Sequence, residues 1–213
     1  MNKRRSNPRI GNIELGLRNE RVNIGDHIAY FWEKPSEFEE AVQFLLAGHK
    51  RGEHLVLFGH DEANEKILEI LRQEGVDYKA LKNRGQLSIL GSGSTGDGML
   101  NTIGATFQKA MDAGAGCIRL LGNIGWGLQN WPDDLDLLAF EAKVTGAAKQ
   151  FPSIVMCMYD VGSLSGHVMV HGAYETHSLT FNGNQLRENP FYVGVDDYLA
   201  RLKGSDASLA PGF

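Results

Sequence analysis

Asp160 is the residue of this chain whose position is best suited to chemistry. The apolar run 154–158 precedes Tyr159 and Asp160, and an unbroken run of this kind is typical of a strand that is covered on both faces. Ligands of open α/β folds bind beyond the carboxyl ends of such strands. The sequence therefore places the Asp160 carboxylate at a sheet edge where a ligand can bind.

The glycine-rich segment 91–98 is the candidate for binding phosphate. Backbone amides of such loops can surround a phosphate group, and nucleotide hydrolases of the RecA type combine such a loop with an acid at the position of Asp160. Their loop also needs a lysine and a hydroxyl residue, whereas Met99 and Leu100 follow Gly98 here. We expect a mobile lid or connector, and a degenerate RecA-like or KaiC-like nucleotide-binding protein or ATPase is the alternative.

Arg119 lies inside the apolar strand 117–121, where a buried charge without a partner costs several kcal/mol. Asp160 is one candidate partner. Glu141, on an amphipathic helix predicted over 132–150, is another. A structural salt bridge and a site for a bound anion are both compatible with this pattern.

Further polar and aromatic residues stand at the ends of predicted strands. His27 begins the first strand, Trp32 and Glu33 end it, and Asn123 and Trp126 follow the fourth strand. If the strands are parallel and adjacent, the loop after strand four emerges beside the carboxylate that ends strand five. The tryptophan there is either the wall or lid of an aromatic pocket or part of the core.

We expect no metal site. The polar residues 60–62 follow the second strand, but acids at a helix N-terminus are favoured by the helix dipole alone. His167 and His171 are four residues apart without the glutamate of an HExxH motif, and His177 has no zinc-type spacing to other ligands.

The chain shows no signature of an enzyme. It has no Gly-x-Ser-x-Gly elbow, and its two cysteines, Cys117 and Cys157, lie in apolar strand-like runs. We interpret them as buried, reduced thiols. We therefore expect no catalytic activity and no cofactor.

Composition indicates one soluble domain. The 213 residues are 42% hydrophobic and 22% charged, which is ordinary for a globular protein that folds around its own core. No apolar run approaches the ~20 residues of a membrane span, and no hydrophobic stretch follows the basic N-terminus as in a secretory signal. We expect a cytoplasmic protein with no membrane partner.

The two ends of the chain differ from its centre in charge or in expected order. Residues 1–26 carry a net charge of +3, against −5 for the whole chain. We interpret residues 1–24 as a solvated, partly disordered basic arm with a weak strand around 10–17, and residues 204–213 as a disordered tail. The arm is too short and too poorly patterned to be a helix-turn-helix, so direct binding of nucleic acid is not expected.

Strand and helix signals alternate along 25–203, which predicts a single three-layer α/β domain with a mostly parallel sheet flanked by helices, of the RecA or Rossmann type. Ser36 with Glu39 forms a predicted capping box for the first helix. The predicted strands are 27–32, 54–58, 86–90, 117–121, 153–160 and 178–181. The predicted helices are 36–48, 61–74, 77–83, 97–113, 132–150, 164–174 and 191–203.

Several short motifs occur in a fixed order along most of the chain. They are 25–33 (Gly-Asp-His-Ile-Ala-Tyr-Phe-Trp-Glu), 51–53 (Arg-Gly-Glu), 84–87 (Arg-Gly-Gln-Leu), 118–122 (Ile-Arg-Leu-Leu-Gly) with Trp126, 140–141 (Phe-Glu), 157–160 (Cys-Met-Tyr-Asp) and 188–192 (Glu-Asn-Pro-Phe-Tyr). The ordered set resembles the MEDS domain, a sensory domain of methanogens and methylotrophs named partly for the dichloromethane regulator DcmR. The resemblance covers about residues 25–193.

This resemblance implies a module that senses small, hydrocarbon-like molecules, with a fold related to the RecA and KaiC core but without its phosphate loop. Members often adjoin a histidine kinase or a DNA-binding domain, which implies a regulatory protein partner, either a kinase or a transcription regulator. Asn123 stands where the family usually has an acid, so a role of that acid does not carry over. The chain is also compatible with a homo-oligomer.

The leading hypothesis is a stand-alone sensory protein that binds a small molecule at the carboxyl edge of the sheet. The residues expected to bind the ligand are His27, Trp32, Glu33, Arg119, Asn123, Trp126, Glu141 and Asp160. Of these, Arg119 and Glu141 are expected to support the site from behind or to contact an anion.

Overall fold

The strands of this chain carry the long apolar runs, and the helices lie between them. The computed structural model describes residues 12–91, 95–124 and 133–208, and nine strands occur in these ranges. They are β1 Ile13–Glu14, β2 Arg21–Val22, β3 His27–Trp32, β4 His54–Gly59, β5 Leu87–Gly91, β6 Ile118–Ile124, β7 Ser153–Asp160, β8 Leu179–Asn182 and β9 Gln185–Glu188.

The helices of the described ranges connect these strands. They are α1 Pro35–Ala41, α2 Gln43–Lys50, α3 Asp61–Gln73, α4 Tyr78–Asn83, α5 Gly96–Asp112, α6 Asp134–Ala148, a π-helix Val168–Tyr174 and α7 Val195–Ser208. None of them is long and apolar enough to cross a membrane.

Seven strands form one sheet in the order β5-β4-β6-β7-β3-β8-β9. All neighbouring pairs are parallel except β8 and β9, which form an antiparallel hairpin. Every residue of β3, β4 and β6 is buried, as expected for parallel strands that are covered on both faces. The predicted three-layer, mostly parallel α/β fold is confirmed.

Alternate residues of each strand contribute to two separate hydrophobic cores. Ile28 and Tyr30 of β3 belong to the core on the first face, which is covered by α1 to α4. Ala29 and Phe31 belong to the core on the second face, which is covered by α5, α6, the π-helix and α7. The two faces are therefore defined by the period of two along each strand.

The connections diverge between β4 and β6, which are neighbours in the sheet. The chain leaves β4 into α3 on the first face, whereas it leaves β6 towards α6 on the second face. Such a switch point opens a crevice at the carboxyl ends of the two strands, and ligands of open α/β sheets bind in crevices of this kind.

The first helix begins earlier than the sequence predicted. Pro35 is its first residue, and the Glu37 carboxylate accepts hydrogen bonds from the backbone N–H groups of Glu33 (2.8 Å) and Lys34 (3.0 Å). The predicted capping box at Ser36 is wrong because a proline has its φ pre-set for the first helical turn.

The two chain ends also differ from the prediction where they are described. Leu15, Leu17 and Val22 are buried in the core of the first face, so residues 12–22 are not a solvated arm, although the weak strand there is confirmed as β1. The backbone of α7 continues to Ser208, into the predicted disordered tail. The remainder of both predictions, residues 1–11 and 209–213, lies outside the described residues.

Candidate functional site

A buried amide group lies at the carboxyl ends of β4 and β6, where the switch-point rule places the crevice. Asn123 is fully buried, and neither its Nδ2 nor its Oδ1 has a hydrogen-bond partner within the described part of the chain. Gly59 lies opposite in the neighbouring strand, with φ +140. A Cβ atom at Gly59 would lie 2.9 Å from the Asn123 carbonyl oxygen, so only glycine allows this close approach.

Two more polar side chains lie at the carboxyl end of β4. Asn64 donates from Nδ2 to the carbonyl oxygens of Gly59 (3.2 Å) and Leu90 (3.1 Å). Its Oδ1 and the Nδ1 of His60 are buried without a hydrogen-bond partner in the described ranges. A buried polar group that lacks a partner costs about 1–3 kcal/mol. The polar atoms at this edge can therefore form further hydrogen bonds with a ligand.

Three of the predicted site residues share this edge on the first face. Trp32 is buried against Phe38, with ring centroids 5.2 Å apart, and it is paired in register with Asp160. The Asp160 carboxylate accepts hydrogen bonds from the Gly162 N–H (3.0 Å) and the Ser163 hydroxyl (2.5 Å), so it orders its own turn. The third is Asn123.

The remaining residues predicted for this edge are placed differently. Glu33 is exposed. Trp126, together with the predicted aromatic loop, lies outside the described residues, and so does part of the glycine-rich segment 91–98.

Arg119 lies at the other end of the sheet, and its predicted pairing with Asp160 or Glu141 is wrong. Its Nε donates to the Glu53 carboxylate (2.5 Å), and both groups are nearly inaccessible to solvent. Arg119 is the second residue of β6, whereas Asp160 is the last residue of β7. Because β6 and β7 are parallel neighbours in which Arg119 is paired with Ile154, the two groups lie at opposite ends of these strands, and Glu53 beside β4 meets the guanidinium instead.

The second face contains a cluster of four polar side chains. His27 of β3, Glu141 of α6, Cys157 of β7 and His177 before β8 are all buried, and one ligand-type atom from each lies within 4.8 Å of the others. The His27 Nε2 is 3.2 Å from the Cys157 Sγ and 3.7 Å from a Glu141 oxygen. The His177 Nε2 is 3.5 Å from the same oxygen.

Hydrogen bonds outside the cluster determine which ring nitrogen of each histidine carries hydrogen. The Thr145 hydroxyl donates to the Thr176 carbonyl (2.7 Å), so it accepts from the His27 Nδ1–H (2.7 Å). The His177 Nδ1 lies 2.9 Å from the Ala173 carbonyl oxygen, which can only accept. Both histidines therefore present an Nε2 lone pair to the centre of the cluster.

The centre of the cluster is poorly supplied with hydrogen bonds. Within the described ranges, neither oxygen of Glu141 nor the Nε2 of His177 has a hydrogen-bond partner. The Cys157 thiol and the Tyr159 hydroxyl lie near the carboxyl group, and the hydroxyl also donates to the Gly172 carbonyl (3.4 Å).

Burial favours the neutral forms of these groups. It raises the pKa of Glu141 to about 8, with Cys157 and Tyr159 acting in the opposite direction, and it lowers the pKa of His177 to about 3. Burial also lowers the pKa of His27, and the neighbouring His177 lowers it further. The pKa of the Cys157 thiol is raised by burial and by Glu141.

Sequence reasoning selected His27 and Glu141 but missed their grouping with Cys157 and His177. The expectation that both cysteines are free and buried is confirmed. A buried cysteine in an apolar run reads as a core residue, so this expectation gives Cys157 no polar role. The four residues come from separate elements with no short spacing. His27 and Cys157 face the same side of the neighbouring strands β3 and β7, and the sequence carries no signal for this adjacency.

The fold defines an open, mostly parallel α/β protein with a topological switch point between β4 and β6. The family model described as MEDS, "MEthanogen/methylotroph, DcmR Sensory domain", matches residues 26–178. The chain therefore belongs to this family, and all four residues of the buried cluster lie in the matched range.

A curated relative supports the same assignment. The "Transcriptional repressor DcmR" of Methylorubrum extorquens (strain DSM 6343 / CIP 106787 / DM4) is 28% identical over 160 residues. The match covers 73% of this chain and 59% of the repressor, so the chain spans less than two thirds of that relative. The resemblance found in the sequence is confirmed at the level of the sensory domain.

Proposed function

We propose that this chain is a regulatory sensor that binds a small neutral molecule in the crevice between β4 and β6 and signals to a separate protein. The observation that carries this proposal is the buried Asn123 amide, which has no hydrogen-bond partner among the described residues. Membership in a sensory family and similarity to a transcriptional repressor support the regulatory role.

The groups at the crevice favour a ligand with a small polar end. An asparagine amide both donates and accepts hydrogen bonds, and the free Oδ1 of Asn64 adds an acceptor. The Asp160 carboxylate is already used by its own turn. A short alcohol or amide, with its apolar part against Trp32, matches these groups better than an anion does.

The segments around the crevice are connected in a way that suits a relay. The Asp136 carboxylate of α6 accepts a hydrogen bond from the Gly96 N–H (2.7 Å), and Lys143 pairs with Asp97 (2.6 Å). The start of α5 is therefore tied to α6. A ligand that shifts the chain after β6 should shift both helices, and a partner that binds one position better would detect the change.

The test is thermal unfolding with a panel of short alcohols, short amides and dichloromethane as probes. A probe at 100 times its dissociation constant stabilises a protein by about 2.7 kcal/mol. For a chain of this size, that raises the melting temperature by about 5–10 °C. We expect Asn123→Leu to lose the shift, because leucine fills the same space without the amide.

Asn101→Leu, at an exposed position of α5, is the matched control and should keep the shift. Equal shifts in the wild type and in Asn123→Leu would contradict the assignment of the crevice. ATP with magnesium belongs in the same panel, since a shift with this probe and with no other would favour a nucleotide-binding protein instead.

A further inference from the structure

The buried cluster on the second face is built like the ligand shell of a metal ion. Metal-bound histidines use one ring nitrogen for the metal and donate the other N–H to a carbonyl or hydroxyl group. His27 and His177 satisfy this description, because Thr145 and the Ala173 carbonyl accept their Nδ1–H groups. Each Nε2 then points towards the Glu141 carboxyl group and the Cys157 thiol.

The separations agree with four ligands around one small cation. Bond lengths of about 2.0–2.3 Å in a tetrahedral zinc site place neighbouring ligand atoms about 3.3–3.6 Å apart. The separations of 3.2, 3.5 and 3.7 Å in the cluster bracket this range. The other pairs lie within 4.8 Å, so a small shift of one side chain would complete the shell.

The charges also balance. Two neutral imidazoles, one thiolate and one carboxylate carry a total charge of −2, which a divalent cation neutralises. A buried site without net charge avoids the desolvation penalty of an isolated ion.

A cluster held by hydrogen bonds alone explains less of the geometry. The Cys157 thiol can donate to the His27 Nε2 at 3.2 Å. The Glu141 carboxyl group can interact with the Cys157 thiol and the Tyr159 hydroxyl, but the His177 Nε2, 3.5 Å from the nearest carboxyl oxygen, is left without a hydrogen bond of normal geometry within the described ranges. A central cation would occupy both the carboxylate and the second imidazole.

We propose that His27, Glu141, Cys157 and His177 bind one divalent first-row transition metal ion, with Zn²⁺ as the best match. Mixed nitrogen, sulfur and oxygen ligands in a four-coordinate shell are characteristic of zinc. The protein supplies all four ligands and the site is closed to solvent, so the ion is structural. It would join β3, α6, β7 and the segment before β8. This inference does not depend on the proposed function.

The experiment uses the full chain without a histidine tag, purified with a reductant that is not a thiol. The chain is loaded with Zn²⁺ for elemental analysis and with Co²⁺ for absorption spectroscopy. We expect one ion per chain, strong visible bands of tetrahedral Co²⁺ and a thiolate-to-cobalt charge-transfer band. Removal of the ion with a chelator should lower the melting temperature, because the assembled site binds the ion more tightly than the unfolded chain does.

The chain offers a matched control in its second cysteine. Cys157→Ser should lose the charge-transfer band, and Cys117→Ser should keep it, since Cys117 is also buried and free but lies outside the cluster. Glu141→Gln keeps the shape of the side chain and removes one charge, so it should bind the ion at least ten-fold more weakly.

Several results would overturn the proposal. They are a wild-type chain that binds no ion, Co²⁺ bound without a charge-transfer band, and a band that persists in Cys157→Ser. If Cys157→Ser does not fold, the wild-type spectrum and Glu141→Gln still decide the question.

Discussion

Arg119→Met should be among the most destabilising single substitutions in this domain. The guanidinium donates to the Glu53 carboxylate (2.5 Å) and to the carbonyl oxygens of Leu15 (2.9 Å), Phe44 (3.0 Å) and Glu14 (2.6 Å). The substitution removes all four hydrogen bonds at once. Two of these hydrogen bonds, to Leu15 and Glu14, connect the hairpin of β1 and β2 to the sheet.

The structure sets the size of the effect. Breaking a buried ion pair by removing one partner costs about 3–5 kcal/mol. Arg51, which is half exposed, also bonds to Glu53 at 2.7 Å and remains as a partner. We therefore expect the lower end, about 3 kcal/mol, which corresponds to a fall of about 6–12 °C in the melting temperature.

Urea unfolding monitored by two spectroscopic probes measures this change in the free energy of unfolding. Arg72→Met is the control, because Arg72 forms an exposed ion pair with Glu69, and its urea midpoint should not change measurably. In Arg119→Met, amide exchange should also become faster at Leu15, whose N–H donates to the Glu20 carbonyl. A loss below about 1 kcal/mol, or equal losses in both variants, would refute the structural role assigned to Arg119.

Two glycine substitutions compare a tightly packed position beside the same arginine, Gly48, with an open position of α5, Gly104. In Gly48→Ala the new Cβ would lie 2.7 Å from the Arg119 Cδ. Because four hydrogen bonds fix the arginine side chain, we expect the free energy of unfolding to fall by about 1–3 kcal/mol. Gly104→Ala has no atom within 4 Å of its new Cβ and should gain about 0.5–1 kcal/mol from helix propensity. Urea midpoints measure both, and a change of the same sign in the two variants would contradict the argument.

Much of the fold was predictable because the sheet is parallel and covered on both faces. A run such as 153–160 is apolar at every position, so its assignment as β7 needs no knowledge of its neighbours. The hairpin partner β9 was missed because its residues are mostly exposed and carry little apolar pattern. Residues 12–22 read as a solvated arm because the basic side chains dominate their pattern, although three apolar side chains among them are buried.

The sites were less predictable because they depend on which strands are neighbours. The polar types of His27, Arg119, Asn123 and Glu141 were visible in the sequence, but their partners were not. Arg119 meets Glu53 because β4 lies beside β6, and this order does not follow from the order of the strands along the chain. The buried cluster, likewise, draws on four elements that only the complete topology brings together.

The crevice and the proposed metal site lie on opposite faces of the sheet and meet at the neighbouring strands β6 and β7, so binding at one should affect the other. Gly122 is paired with Cys157 and Asn123 with Met158, and a Cβ at Gly122 would lie 3.4 Å from the Cys157 Sγ. The backbone that carries Asn123 therefore lies directly against the proposed thiolate ligand. A crevice ligand that moves β6 must also disturb the metal shell.

Thermodynamic linkage makes this relation quantitative. The factor by which Zn²⁺ changes the affinity for a probe alcohol must equal the factor by which the probe changes the affinity for Zn²⁺. Calorimetric titrations of the probe into zinc-loaded and chelator-treated protein give the first factor, and chelator competition with and without the probe gives the second. We expect both to differ from one and to agree. If both factors equal one, β6 moves too little to connect the sites. The crevice and the metal site would then still be judged by their separate experiments.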